Sequence, residues 1–330
     1  MASRRLPIRY EPRATSRAID DGSEHESSRG GASTNPLNEE PARHAAVEVR
    51  DILSIDEMRV TEDIQREVWG LADIDIVPAA QMKAAVHAGG QVAGAFEDGI
   101  MVGFAYGIVA APYWPGVSGM GLHSHMVAVR ERGRQRGVGR ELKWFQRLWC
   151  LEHGMKWSTW TFDPLQARNA KLNFAHLGVV SHEYQIDFYG VMAGPLGSDA
   201  SDRLVALWLL DSEVVSHHAT AWRDGRRSEP LATAAAPSTA RDLWLLREED
   251  VATSGSDITT SNSLEAVLAD GNPDVRLRVA APHDVGALKR NQAAVVARWR
   301  DSMRASIIPA LASGYAVVGF IDGAYVLEKT

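Results

Sequence analysis

The sequence predicts an α+β fold: a mixed, mostly antiparallel central sheet flanked by helices, followed by a smaller α/β unit at the carboxy terminus. Three observations predict it. Alternating apolar runs are joined by Asp98-Gly99 and Asp322-Gly323, and Asp-Gly tolerates the positive φ angles of a tight hairpin turn. Amphipathic helical segments are interleaved with these runs. A loop rich in glycine and arginine, Arg134-Gln135-Arg136-Gly137-Val138-Gly139, stands between a predicted strand and a predicted helix.

Taken in order, residues 1–45 mix Arg, Ser, Glu, Gly and Pro with few large apolar side chains, which predicts a disordered tail. Val47–Ile52 alternates like a half-buried strand, and Ser54 can cap a helix carrying Ile55, Met58, Ile64 and Val68 on one face. Pro78–Ala88 reads as a short second helix. Strands follow at Gln91–Phe96, Ile100–Ala110 and Gly119–Val129. From Val138 a strong helix places Val138, Leu142, Phe145 and Trp149 on one stripe, with Arg140, Glu141, Lys143 and Arg147 on the expected solvent face, and Gly154 as its stop. After a strand at Lys156–Phe162, Asp163-Pro164-Leu165-Gln166 reads as a cap, first turn and N3 glutamine, opening a helix that runs to Gly178. Strands at Val179–Tyr189 and Arg203–Leu210 close a unit spanning 46–211. Residues 212–273 read as linker or irregular, apart from the apolar piece Leu243–Leu246. Within 274–330, a strand at Val275–Ala280, a helix over Val285–Ala312 and a hairpin of Tyr315–Phe320 with Ala324–Leu327 complete the chain.

Composition narrows the function. With 45% apolar residues the 330-residue chain can build a packed core. A formal charge of −7 argues against a nucleic-acid surface. One cysteine, Cys150, excludes an internal disulfide framework and a cysteine-rich zinc site, and no further ligands accompany the histidines, so no metal is expected. No run has the length of a membrane span and the amino terminus lacks a signal-peptide pattern, so a cytoplasmic protein is expected.

In the strand–loop–helix context, Gly137 and Gly139 allow close backbone approach to a bulky anion, the first amides of the helix point toward it, and Arg134, Arg136 and Arg140 add charge. The plain alternative is a surface turn with solvated arginines. Val129, Arg134, Gly137 and Gly139 match the pattern Val-x-x-x-x-Arg/Gln-x-x-Gly-x-Gly/Ala of motif A, and here the chain resembles the GNAT acyltransferase superfamily. The resemblance covers about Val47 to Asp211, where the order strand, two helices, three strands, helix, strand, helix, two strands also agrees, so a GNAT-like sheet is implied. His123-Ser124-His125-Met126, Trp160–Pro164, Arg168-Asn169, Phe188-Tyr189-Gly190 and Ser201-Asp202-Arg203 are similar to a bacterial GNAT subfamily of poorly defined function that carries a carboxy-terminal extension.

The resemblance implies acyl-CoA as co-substrate, acetyl-CoA or succinyl-CoA first among them. It implies main-chain contacts to pantetheine from Val127 and Val129, and a phosphate cradle from Arg134, Gln135, Arg136, Gly137, Val138, Gly139 and Arg140. The acceptor implied is a small-molecule amine, an amino acid among the candidates, that attacks the thioester directly. His123 and His125 share a strand face and are the candidate bases, His123 favoured by its place six residues before Val129. The tyrosine that many GNAT enzymes use to protonate the thiolate is replaced by Phe174, leaving Tyr184 or Tyr189 as substitutes. Asn169, Asn173 and His176 form a polar stripe at the edge where coenzyme A passes, Asn169 being the assigned contact, and Arg168 with Arg203 suit a carboxylate. The contrasting reading is an acyl-CoA-binding or sensor module without turnover; a homodimer is compatible with either.

Overall fold

A computed structural model of the protein describes residues 47–190, 192–194, 197–224, 241–253, 265 and 275–330; the expected tail at 1–45 lies outside them. The first unit opens with strand β1 (Glu48–Asp51) and helix α1 (Ile55–Trp69). Ser54 caps α1 by accepting from the Glu57 amide, and Gly70 ends it in the left-handed conformation at φ 64°. Helix α2 (Ala79–His87) and strands β2 (Gln91–Glu97), β3 (Ile100–Ala110) and β4 (Gly121–Val129) follow. The Asp98-Gly99 turn between β2 and β3 has φ of 50° and 75°, the geometry its sequence predicted.

Helix α3 (Val138–Glu152), strand β5 (Trp157–Phe162), helix α4 (Ala167–Ala170), a π-helical turn over Lys171–Leu177, and strands β6 (Tyr184–Gln185), β7 (Met192–Gly194), β8 (Gly197–Asp199) and β9 (Arg203–Leu209) complete this unit. Its seven-stranded sheet has the order β1-β2-β3-β4-β5-β9-β6, antiparallel except where β4 meets β5. The elements follow the order that the GNAT resemblance implies, with the β7–β8 pair added between its last two strands.

Several elements differ from expectation, each for a physical reason. The strand expected over Val179–Tyr189 shrinks to Tyr184–Gln185 plus bridges from Val180 to Leu207 and Ser181 to Val317, because Ser181 is drawn toward the second unit. Asp163 does not cap the following helix, which starts only at Ala167; its carboxylate accepts from Leu165 N and from Arg300. Part of the 212–273 stretch is ordered: Ser212 caps helix α5 (Glu213–Arg223), and strand β10 (Arg241–Leu246) with helix α6 (Glu248–Thr253) follows.

The second sheet, β10-β11-β13-β12, takes its strands from β10, β11 (Val275–Ala280), β12 (Tyr315–Ile321) and β13 (Ala324–Lys329). The long helix expected between them is broken at Gln292, whose φ of −147° separates α7 (Val285–Asn291) from α8 (Ala293–Ala312). The two units share a core: Trp160, Phe174 and Trp208 from the first belong to one apolar cluster with Trp299, Ile307 and Tyr325 from the second.

Candidate active site

β4 positions the site through two departures from regular pairing. It runs parallel to β5 only at Leu122–Ser158 and His123–Thr159; beyond these pairs the strands part, leaving the rest of β4 to Val129 without a neighbour on that side. Against β3, Ser124 pairs with Gly107 and Met126 with Tyr106, so His125 is an inserted residue, a β-bulge. The bulge shifts the alternation of side chains. Before it, Leu122 and Ser124 face α3, the latter hydrogen-bonded to Gln146. After it, Val127 and Val129 pack with Val138, Leu142 and Phe145 of α3, whereas Met126 and Ala128 join α1 and α2. His125 lies edge-on to Tyr106, on the α1–α2 face.

The wedge between β4 and β5 is part of an open cavity of about 2300 Å³. That exceeds an ordinary small-ligand pocket of about 300–1,000 Å³ and has room for two substrates. Val127, Val129 and every residue from Arg134 to Arg140 border it, as does Asn169 on α4. The loop is folded by Gln135 at φ 61° and Gly137 at φ 83°, and the ladder of α3 begins with Arg140 and Glu141 both donating to Gly137 O, so the amides before them open the helix without ladder partners. A side chain at 137 would be strained by backbone alone; a Cβ at Gly139 would meet only Val129 Cγ2 at 3.8 Å, ordinary contact. Arg136 is drawn into an ion pair with Glu97 at 2.6 Å, so its charge is already half answered. Arg134 and Arg140 have no carboxylate partner among the described residues. Arg140 and Lys171, on opposite walls, act with burial to depress the pKa of His176 between them. This end of the cavity is therefore cationic.

The histidines separate in position. His125 is exposed and borders the cavity. His123 is half-buried behind it, ring centroids 6.1 Å apart, and is absent from the cavity wall. Burial, His125 and Lys143 hold the His123 pKa down to about 4. Tyr184 is not brought to the site: its hydroxyl donates to Asp202 Oδ2 at 2.7 Å, which Arg304 also grips at 2.7 and 2.8 Å. Burial, with the hydrogen bond to Asp202, pushes its pKa up. Tyr189 does border the cavity, its hydroxyl 3.5 Å from Thr161 Oγ1. Phe174 is buried against Phe162 and Tyr325.

Two contributions escaped the sequence. Lys143 was placed on a solvent face but is 3% exposed, because it lies against the sheet, with Nζ at Ser124 of β4 and over the Trp160 ring of β5. The neighbouring Glu141 is met by α5, whose Trp222 donates to it at 2.9 Å. A findable signal was Ser212 followed by Val215, Ala219 and Trp222 at helical spacing. The second is α8, whose Val296, Ala297, Arg300 and Arg304 form the cavity wall opposite the glycine loop. Among the described residues no cluster of three or more His, Cys, Asp or Glu could hold a metal, and no helix is long and apolar enough to cross a membrane.

No protein-family model matches the chain, and no curated protein matches it. Among solved structures it is similar to a putative acetyltransferase of Salmonella typhimurium with acetyl-CoA, at 17% identity and a TM-score of 0.39, covering 51% of this chain and 95% of that one. It is similar also to the ribosomal-protein-S18-alanine N-acetyltransferase of Escherichia coli, at 12% identity and 0.39, covering 50% and 95%. A third is an N-acetyltransferase of Staphylococcus aureus Mu50, at 11% and 0.40, covering 51% and 100%.

Proposed function

We propose that the protein is an acyl-CoA-dependent N-acyltransferase of the GNAT type, transferring acetyl or succinyl to a small-molecule amine, an amino acid among the candidates. The observation that carries this is the wedge between β4 and β5 opening beside the cationic start of α3. A pyrophosphate fits the Gly137–Gly139 backbone, and the extended arm behind it can use the main-chain groups that β4 leaves unpaired past His123.

The amine approaches from the other face of the sheet. There His125, at the bulge and in the cavity wall, is the base that takes its proton; burial lowers the pKa of both rings, His123 to about 4, and only His125 reaches the cavity. The acceptor lies against α8, with Arg168 and Arg203 placed in the cavity for a carboxylate. The amine nitrogen forms the new C–N bond as the C–S bond breaks.

A second reading, an acyl-CoA sensor without turnover, rests on Phe174 standing where a proton-donating tyrosine is usual. Purified protein given acetyl-CoA or succinyl-CoA with an amine library, followed by mass spectrometry, decides. Mass-shifted amine with free CoA supports transfer. Tight acyl-CoA binding with no product from any amine supports the sensor, and no binding overturns both.

A further inference from the structure

Accepting the transferase reading above, one step lacks an agent: something must protonate the sulfur that leaves. Phe174 has no proton to give, and the Tyr184 hydroxyl is committed to Asp202. Tyr189 pairs with Thr161, which alternates along β5 with Trp160 and so points to the opposite face. The phosphate cradle begins α3, so the coenzyme arm enters along the α3 face, and the sulfur belongs on that side.

Lys143 occupies that side at the vertex of the wedge. The last β4–β5 pair is His123 with Thr159, and Ser124 and Trp160 are the first residues beyond it. The Lys143 Nζ donates to Ser124 Oγ at 2.8 Å and lies 3.3 Å from the centre of the Trp160 ring, so it touches both arms where they part. The side chain is 3% exposed, yet the residue borders the cavity. No carboxylate is paired with it among the described residues. The titratable groups acting on it are His123 from β4 and Cys150 from its own helix; β5 and β9 present Trp160 and Trp208. An ammonium buried with one hydrogen bond and no counter-charge is costly, and an anion forming beside it would be the charge it lacks.

We propose that Lys143 is the general acid that protonates the departing thiolate of coenzyme A. As the amine lone pair forms the C–N bond, the C–S electron pair goes to sulfur, and sulfur takes a proton from Nζ. The proton released by the amine goes to His125, which gives it up to solvent, and Lys143 regains one from solvent once free CoA has left. Chemistry favours this direction. An ordinary lysine, near 10.4, is a weaker acid than the thiol it would make, near 8.5. Burial pushes the Lys143 ammonium well below its usual value, the direction that narrows this mismatch. The histidines and the lysine then stand on opposite faces of β4, one for each proton.

The test compares wild type with Lys143→Met, which keeps the length, and Lys143→Arg, which keeps the charge but does not release a proton. Acetyl-CoA affinity is measured by calorimetry, folding by thermal melting, and free thiol release against pH, with amine acceptors and with water alone. An acid must be protonated to act, so wild-type kcat should fall as pH rises through the lysine's pKa. Both variants should bind acetyl-CoA within a few-fold of wild type, lose roughly 10²-fold or more in kcat, and lose that basic limb. Unchanged kcat and basic limb in Lys143→Met would overturn the assignment, as would a basic limb that disappears in Tyr189→Phe instead. A loss confined to acetyl-CoA affinity would make Lys143 a binding group only. If Lys143→Met does not fold, Lys143→Arg carries the test. Wild type that fails to bind acetyl-CoA defeats the transferase reading itself, a separate outcome; binding without any thiol release defeats both.

Discussion

At the scale of single residues, the two histidines show how one inserted position decides which ring reaches the cavity. Their residue type and spacing are plain in the sequence, but which one borders the cavity depends on the bulge at His125, which no alternation pattern predicts. His125→Ala is expected to lower turnover by roughly 10²–10⁴ with acetyl-CoA affinity nearly intact, and His123→Ala by much less. Steady-state kinetics beside calorimetry checks this, and the reverse ranking would restore His123 as base. His218 gives a stability prediction. It is 2% exposed, and burial, with His217 and His176, lowers its pKa to about 4. A histidine whose folded pKa is lowered binds protons more readily when unfolded, so its contribution is complete above about pH 6.5 and is lost as pH falls toward 4. Stability should drop across that window by up to roughly 3 kcal/mol from this residue, and His218→Gln should flatten the slope in denaturant titrations at pH 7 and 4.5.

At the scale of elements, the start of α3 was legible and its flanks were not. The spacing of Val129, Arg134, Gly137 and Gly139 located the loop, since it needs only backbone freedom and charge, both written locally. Gly139 offers the discriminating substitution: a Cβ there has room in the protein, so Gly139→Val should leave the melting temperature within a few degrees while weakening acetyl-CoA binding at least about tenfold, measured by calorimetry. Gly137 would confuse the result, because its φ of 83° strains any larger residue. The burial of Lys143 was hidden for a different reason. Helical periodicity assigns a charged residue to solvent, but it cannot know that Ser124 and Trp160, from two strands of the sheet, will receive this one. Local propensity is likewise silent on the break at Gln292 and on the π-helical turn at Lys171–Leu177.

At the scale of the whole molecule, the extension is part of the fold's interior. Arg300, 3% exposed, reaches from α8 to Asp163 at 2.6 Å; Arg304 reaches Asp202; the Tyr325 hydroxyl donates to Pro164 O at 2.6 Å. Removing one partner strands a buried carboxylate, so Arg300→Ala is expected to cost about 3 kcal/mol, read from chemical denaturation; a loss under 1 kcal/mol would mean Lys289, 3.8 Å away, suffices. The sequence marked the extension as structured but gave no sign of where it docks, because the anchoring pairs lie more than a hundred residues apart. Asp163 follows directly on β5, the arm of the wedge, and holds the helix that walls the far half of the cavity. A ligand that displaced β5 would carry Asp163 and so re-aim Arg300, and one that braced Arg300 would steady β5. Such coupling is reciprocal by thermodynamic necessity: whatever factor the donor applies to acceptor affinity, the acceptor returns to the donor.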